Sequence, residues 1–236
     1  KPPKKISNKA FLESILFANS SFMGEGRYIK SAHYIAEKRA QTWLTESNKG
    51  PLVVSVGRLT EQKVALLTLP GKNGLVLDDI LIRLAKDNGR LIALGSGDPV
   101  LEDLFTNTMR KQSNFLFING YNDALSQQMY VNGDLFLMPS SFEPCGISQM
   151  LAMRAGQPVL AHKIGGLADT IAHLKTGFLF SGATLDAQVK SLHLQFNNAL
   201  KMLTTSPEKF KTMQKNAKKQ RFYWQDSIKN YIKELY

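Results

Sequence analysis

Two cations and one carboxylate have the types and spacing to do chemistry. Arg58 and Lys63 lie five positions apart after one short apolar run, and Glu143 stands between Phe142 and Pro144 after another. Such a pair can neutralise a diphosphate, the guanidinium bidentate and the ammonium as a point charge. Two solvated surface cations are the alternative, but a position directly after a strand favours the ligand role. Glu143 reads as a general base, an acceptor for a ligand hydroxyl, or an exposed loop carboxylate. Its apolar neighbours and the helix start just beyond it favour ligand contact. Free backbone N–H groups and the positive end of the helix dipole meet there and attract an anion. No second carboxylate is placed for paired-acid chemistry.

Other candidates carry less. Tyr121, in a turn beyond a strand, reads equally as a base-stacking ring or a core residue. Cys145 lies near a helix start that would lower a thiol pKa, yet no histidine is placed to partner it, so a small packing residue is favoured. His33, His162, His173 and His193 show no metal spacing, and only His162 falls beside the site. Gly95-Ser-Gly97 is a partial glycine fingerprint with Val100 where a third glycine would stand. The phosphate-loop pattern of ordinary ATPases is absent. The run Lys209, Lys211, Lys215, Lys218, Lys219 and Arg221 reads as a polyanion contact or, more simply, as a solvated helix face.

These residues need a scaffold, and the pattern supplies one. Apolar runs at 52–56, 90–94, 115–118, 135–138, 158–161 and 178–180 read as strands. Between them come helical faces: Leu77, Ile80, Leu81 and Leu84, then Leu101 to Met109, then about 123–131, then Ile147 to Gly156. The segment between Thr60 and Gly74 reads as irregular. This alternation predicts an α/β fold, a doubly wound parallel sheet buried on both faces. The glycines and polar residues all follow strands: Gly57-Arg58, Gly95-Ser-Gly97, Gly120-Tyr121, Glu143 to Gly146, and Gly165-Gly166. In an open parallel sheet they share one edge, where ligands bind. Extra helices follow: Val189 to Leu203, a start at Ser206-Pro207 with serine as N-cap, and a last one from Asp226. Residues 1–50 read as a helical lead-in of uncertain packing, and 51–236 as one doubly wound domain with C-terminal helices that binds a phosphate-bearing small molecule.

The 236 residues suffice to bury a core. An apolar fraction of 43% and a charged fraction of 21% are those of a globular protein without a membrane span. One cysteine excludes an intrachain disulfide and suggests a reducing, cytoplasmic setting. A formal charge of +11 implies attraction to phosphorylated small molecules or polyanions. The first residue is not methionine, which suggests a fragment or a processed chain.

Four ordered motifs resemble the bacterial glycogen synthase and starch synthase family. They are Val54-Ser-Val-Gly-Arg-Leu-Thr-Glu-Gln-Lys63, Leu94-Gly-Ser-Gly-Asp-Pro99, Pro139-Ser-Ser-Phe-Glu-Pro-Cys-Gly-Ile-Ser-Gln149 and Gly165-Gly-Leu-Ala-Asp-Thr170. The chain is similar to that family's C-terminal, donor-binding domain, one of two Rossmann-like halves. The resemblance implies transfer of glucose from a nucleotide diphosphate sugar, ADP-glucose ahead of UDP-glucose, to the non-reducing end of an α-1,4-glucan with retention. It gives catalytic roles to Arg58 and Lys63 on the diphosphate and to Glu143 on the donor glucose. Gly120 would belong to the substrate site and Tyr121 would stack on the base, while Cys145, Gly146, Ile147 and Ser148 would bring backbone to sugar and phosphate. Gly165 and Gly166 would allow close approach to the ligand. No cofactor or metal is implied. The acceptor glucan would bind through an N-terminal domain that this chain lacks, so the chain alone is expected not to synthesise glucan.

Some positions depart from the family pattern. Val64 follows Lys63 where glycine is usual, Ile164 precedes the two glycines, Leu151 replaces a glutamate of the wider superfamily, and residues 1–50 match poorly. Two other readings compete: a different retaining nucleotide-sugar glycosyltransferase, or a non-catalytic basic module that binds glucan or nucleic acid. Nucleic acid is disfavoured because the basic residues are spread along the chain.

Overall fold

The computed structural model describes residues 3–23, 30–225, 228 and 232–233. Six strands form one parallel sheet: β1 (Leu52–Val56), β2 (Arg90–Gly95), β3 (Phe115–Asn119), β4 (Leu135–Met138), β5 (Val159–His162) and β6 (Gly177–Phe180). Their order is β3-β2-β1-β4-β5-β6. Val54 pairs with Ile92 on one side and with Phe136 on the other. The order therefore reverses between β1 and β4, the switch point at which such sheets open a crevice beyond their carboxyl ends. Nearly every strand residue is buried, as a sheet covered on both faces requires.

Ten helices surround the sheet among the described residues: α1 (Asn8–Phe22), α2 (Ser31–Thr45), α3 (Glu61–Thr68), α4 (Val76–Ala85), α5 (Pro99–Lys111), α6 (Asp123–Asn132), α7 (Ser148–Ala155), α8 (Gly165–Thr170), α9 (Leu185–Thr205) and α10 (Pro207–Lys219). Helix α4 lies against β2 and α9, and α9 covers β5 and β6, while α6 and α7 pack side by side with α1 and α10 outside them. Asp98 caps α5 by accepting from the N–H groups of Val100 and Leu101, with Pro99 in the first turn.

Three elements differ from the sequence reading. The stretch 61–68, expected as irregular, is helix α3. Its Val64, Leu66 and Leu67 are buried, but they sit in one contiguous apolar run that lacks helical spacing. Helix α8 starts on two glycines, which are poor helix formers, and tertiary contacts hold it. Ser206 stands at the N-cap position of α10, but its side chain makes no capping bond. The helix expected from Asp226 lies largely outside the described residues.

The lead-in is firmly packed. The Arg39 guanidinium donates to the carbonyls of Met109 (2.9 Å), Phe115 (2.8 Å) and Gln112. Trp43 Nε1 donates to Ser113 O at 3.1 Å, and Arg90 stacks over its ring at 4.4 Å. Phe11, Leu12, Ile15, Ala36 and Ala40 share the core of the sheet. Helix α2 thus lies on β3, the edge strand, where it shields a polar backbone.

Candidate functional site

A cleft of about 410 Å³ opens at the switch point. The loop after β1 brings Gly57 and Arg58, and α3 brings Lys63. Ser96 comes from beyond β2 and Tyr121 from beyond β3, and β4 runs out into Pro139 and Ser140. Ile147 and Ser148 add the first turn of α7. Five expected site residues therefore share one cavity: Arg58, Lys63, Tyr121, Ile147 and Ser148.

Geometry settles several open alternatives. Tyr121 is not a core residue: it is 64% exposed at the rim, its hydroxyl 3.3 Å from Asp123. Glu143 is not an exposed loop carboxylate, being 6% exposed and ion-paired with the Lys63 ammonium. Arg58 is exposed and has no carboxylate partner among the described residues. Cys145 is a free, exposed thiol.

Backbone clamps hold the Glu143 loop. Gln62, one residue before Lys63, donates from Nε2 to Phe142 O at 2.8 Å and accepts at its own carbonyl from Ser141 N at 2.8 Å. On the far side Gln149 Nε2 donates to the carbonyls of Cys145 and Gly146, both at 3.0 Å. Gly146 turns the chain with φ 76°, a left-handed conformation that glycine adopts at no steric cost. Gly166 N donates to Glu143 O at 2.9 Å. A Cβ on Gly165 would meet Glu143 O, and one on Gly166 the carbonyl of Cys145. The two glycines thus admit the Glu143 loop itself. Gly120 lies beside Tyr121 and leaves room for the Phe22 ring. Gln62 and Gln149 escaped the sequence reading because an amide's partners are chosen by tertiary packing.

Helix α7 has no acidic residue in its first turn, and Ile147 at its N-cap offers no side-chain acceptor. Its leading N–H groups therefore remain open to an anion at the cleft. Ser140 Oγ, buried in the cleft wall, has no hydrogen-bond partner among the described residues. Cations, open N–H groups and a rim aromatic together suit a diphosphate joined to a flat base.

His162 sits behind the loop, not in the cleft. Its Nδ1 lies 3.2 Å from Ser140 O, and its ring stacks on Phe180 at 5.0 Å. Burial lowers its pKa below the ordinary 6.5, only partly opposed by the contact with Ser140 O. Burial likewise lowers His173, aided by the charge of Lys163. A base with a depressed folded-state pKa contributes stability above its unfolded pKa and loses it as pH falls through the folded value. Unfolding free energy is therefore expected to drop as pH falls from about 7 towards 5, with a shallower slope in His162→Gln. Equal slopes in denaturant titrations would refute the assignment.

The chain matches the family described as Glycosyl transferases group 1 over residues 37–220. It belongs to that family. It is 34% identical over 193 residues to the glycogen synthase of Streptococcus pneumoniae strain Hungary19A-6, and equally to that of strain CGSP14. Each match covers 79% of this chain and 38% of the relative, so the chain spans about two-fifths of those enzymes. Among solved structures it resembles the catalytic domain of starch synthase IV from Arabidopsis thaliana bound to ADP and acarbose. There the TM-score is 0.66 at 24% identity, covering 94% of this chain and 41% of that one. It also resembles Anabaena Alr3699/HepE in complex with UDP-glucose, with a TM-score of 0.59 at 22% identity over 87% of this chain and 54% of that one. These structural likenesses are of fold, and the fold agrees with the doubly wound sheet. The chain is a glycogen-synthase-like glycosyltransferase domain. Among the described residues no helix is long and apolar enough to cross a membrane, and no cluster of His, Cys, Asp and Glu could hold a metal ion.

Proposed function

We propose that this chain is the donor-binding half of a cytoplasmic glucan synthase that takes glucose from ADP-glucose, with retention, and adds it to an α-1,4-glucan. The observation that carries the reading is the convergence of Arg58, Lys63, Tyr121 and the open end of α7 on one cleft at the switch point. The two cations and the α7 N–H groups hold the diphosphate and stabilise the charge that grows on the leaving nucleotide as the glycosidic bond breaks. The Tyr121 ring stacks on the base. Glu143 holds the Lys63 ammonium in place and turns its other oxygen to a hydroxyl of the donor glucose. Ser140 Oγ gains a partner when the cleft fills. Acceptor binding and turnover belong to a further domain.

ADP is favoured over UDP by the similarity to glycogen synthases and by the ADP-bound starch synthase fold; the UDP-glucose complex of HepE defines the alternative. Calorimetric titration with ADP, UDP, ADP-glucose and UDP-glucose tests the choice. ADP and ADP-glucose should bind more tightly, and Tyr121→Ala should weaken ADP by about tenfold, as loss of one stacked base does. Preference for the uridine ligands would replace the donor, and absence of binding at millimolar nucleotide would remove the reading for this chain.

A further inference from the structure

At the opposite end of α7 from the cleft lies a second concavity of about 730 Å³. Helix α7 spans only about 12 Å from Ser148 to Ala155, and Tyr130 borders both spaces. The floor of the second groove is formed by the ends of α6 and α7, at Gly133 and Ala155-Gly156. Its walls carry five lysines from the two ends of the chain: Lys4 and Lys5, then Lys211, Lys215 and Lys218.

The placement of these lysines is built in. Lys211, Lys215 and Lys218 recur at i, i+4 and i+7, one face of α10, whose other face buries Phe210, Met213 and Ala217. The Lys218 stem lies over Gly156, the left-handed C-cap of α7 with φ 94°. Ile6 N donates to Asn132 Oδ1 at 3.1 Å, which ties the segment that carries Lys4 and Lys5 to the end of α6.

A purely structural account is that the lysines offset the negative ends of α6 and α7. Two helix ends carry only about one negative charge between them. Of the five lysines, only Lys211 has a carboxylate within ion-pair distance among the described residues, the exposed Glu208. Among the described residues no carboxylate lines the groove. Positive charge therefore remains in excess in a concave site, which suits a compact, multiply charged anion better than a flat or extended one.

We propose that this lysine groove is a second anion site, separate from the cleft, and that it takes a compact polyphosphate-type ligand. The site does not depend on the donor assignment. The test uses tripolyphosphate as the probe, titrated by calorimetry at fixed ionic strength into the Arg58→Ala/Lys63→Ala chain, where the cleft cations are gone. Binding is expected there, weakened by about tenfold or more when Lys211→Gln/Lys215→Gln/Lys218→Gln is added, and recovered with arginine at the same three positions. Lys4→Gln/Lys5→Gln, at positions outside every helix, should weaken it independently and covers the case in which the α10 variant misfolds. Sulfate at matched ionic strength should not displace the probe. Binding indifferent to both lysine sets, no binding at millimolar tripolyphosphate, displacement by sulfate, or tighter binding of a single-stranded oligonucleotide would each overturn the proposal.

Discussion

Glu143→Ala is expected to lower the unfolding free energy by about 3 kcal/mol, because it leaves the Lys63 ammonium without its partner in a largely dry wall. The side chains of Lys63 and Glu143 are 19% and 8% exposed, so water relieves little of the cost. Lys63→Ala should be similarly damaging, since it strands the carboxylate. The double variant should lose less than the sum of the two single losses, by about 1–3 kcal/mol, because neither charge is then left alone. Urea unfolding of all four proteins closes the cycle, and strict additivity would show that the ion pair is not an energetic unit.

The same lysine carries the larger functional effect. With Arg58 it offers two charge-assisted contacts to a diphosphate, each contributing about 1.5–3 kcal/mol. Arg58→Ala/Lys63→Ala should therefore weaken nucleotide diphosphate binding by about a hundredfold or more. Arg58→Ala alone should weaken binding with little loss of stability, as Arg58 is exposed and holds no carboxylate among the described residues. A nucleotide affinity unchanged in the double variant would take the diphosphate away from these cations.

Gly166→Ala is expected to cost about 2–3 kcal/mol, at the upper end for an inserted methyl. The new Cβ would run into the Cys145 carbonyl, which is backbone and cannot swing aside, while Gly166 N must keep its bond to Glu143 O. Relief requires the Glu143 loop to move away from α8. That shift also disturbs the Lys63 pair and the first turn of α7, so nucleotide affinity should fall with stability. Gly57→Ala is the matched control. It stands beside Arg58 in another loop of the same cleft, but its Cβ would meet nothing within 4 Å among the described residues. Its stability change should stay within about 0.5 kcal/mol. Comparable losses in both variants would mean that the loop contact is not the cause.

Much of this protein was legible in one dimension. The six strands and most helices announce themselves because burial on both faces demands continuous apolar runs such as Phe115-Leu-Phe-Ile118, and because helical faces repeat every three or four residues. Placement of Arg58, Lys63, Tyr121 and Glu143 after strands was enough to put them on one edge, since every strand of a parallel sheet ends on the same side. The family was readable from four motifs in order. Tertiary structure alone decided the rest. Helices α3 and α8 carry weak local signals, one a contiguous apolar run and the other two leading glycines, and exist through their contacts. The lead-in became part of the core through Arg39 and Trp43, whose partners lie some seventy positions away. The Lys63–Glu143 pair, the two glutamine clamps and the meeting of Lys4 and Lys5 with α10 span distances along the chain at which sequence spacing carries no information. Propensity and periodicity are local and could be read from the sequence; which side chain satisfies which distant carbonyl or charge is settled only when the chain closes on itself.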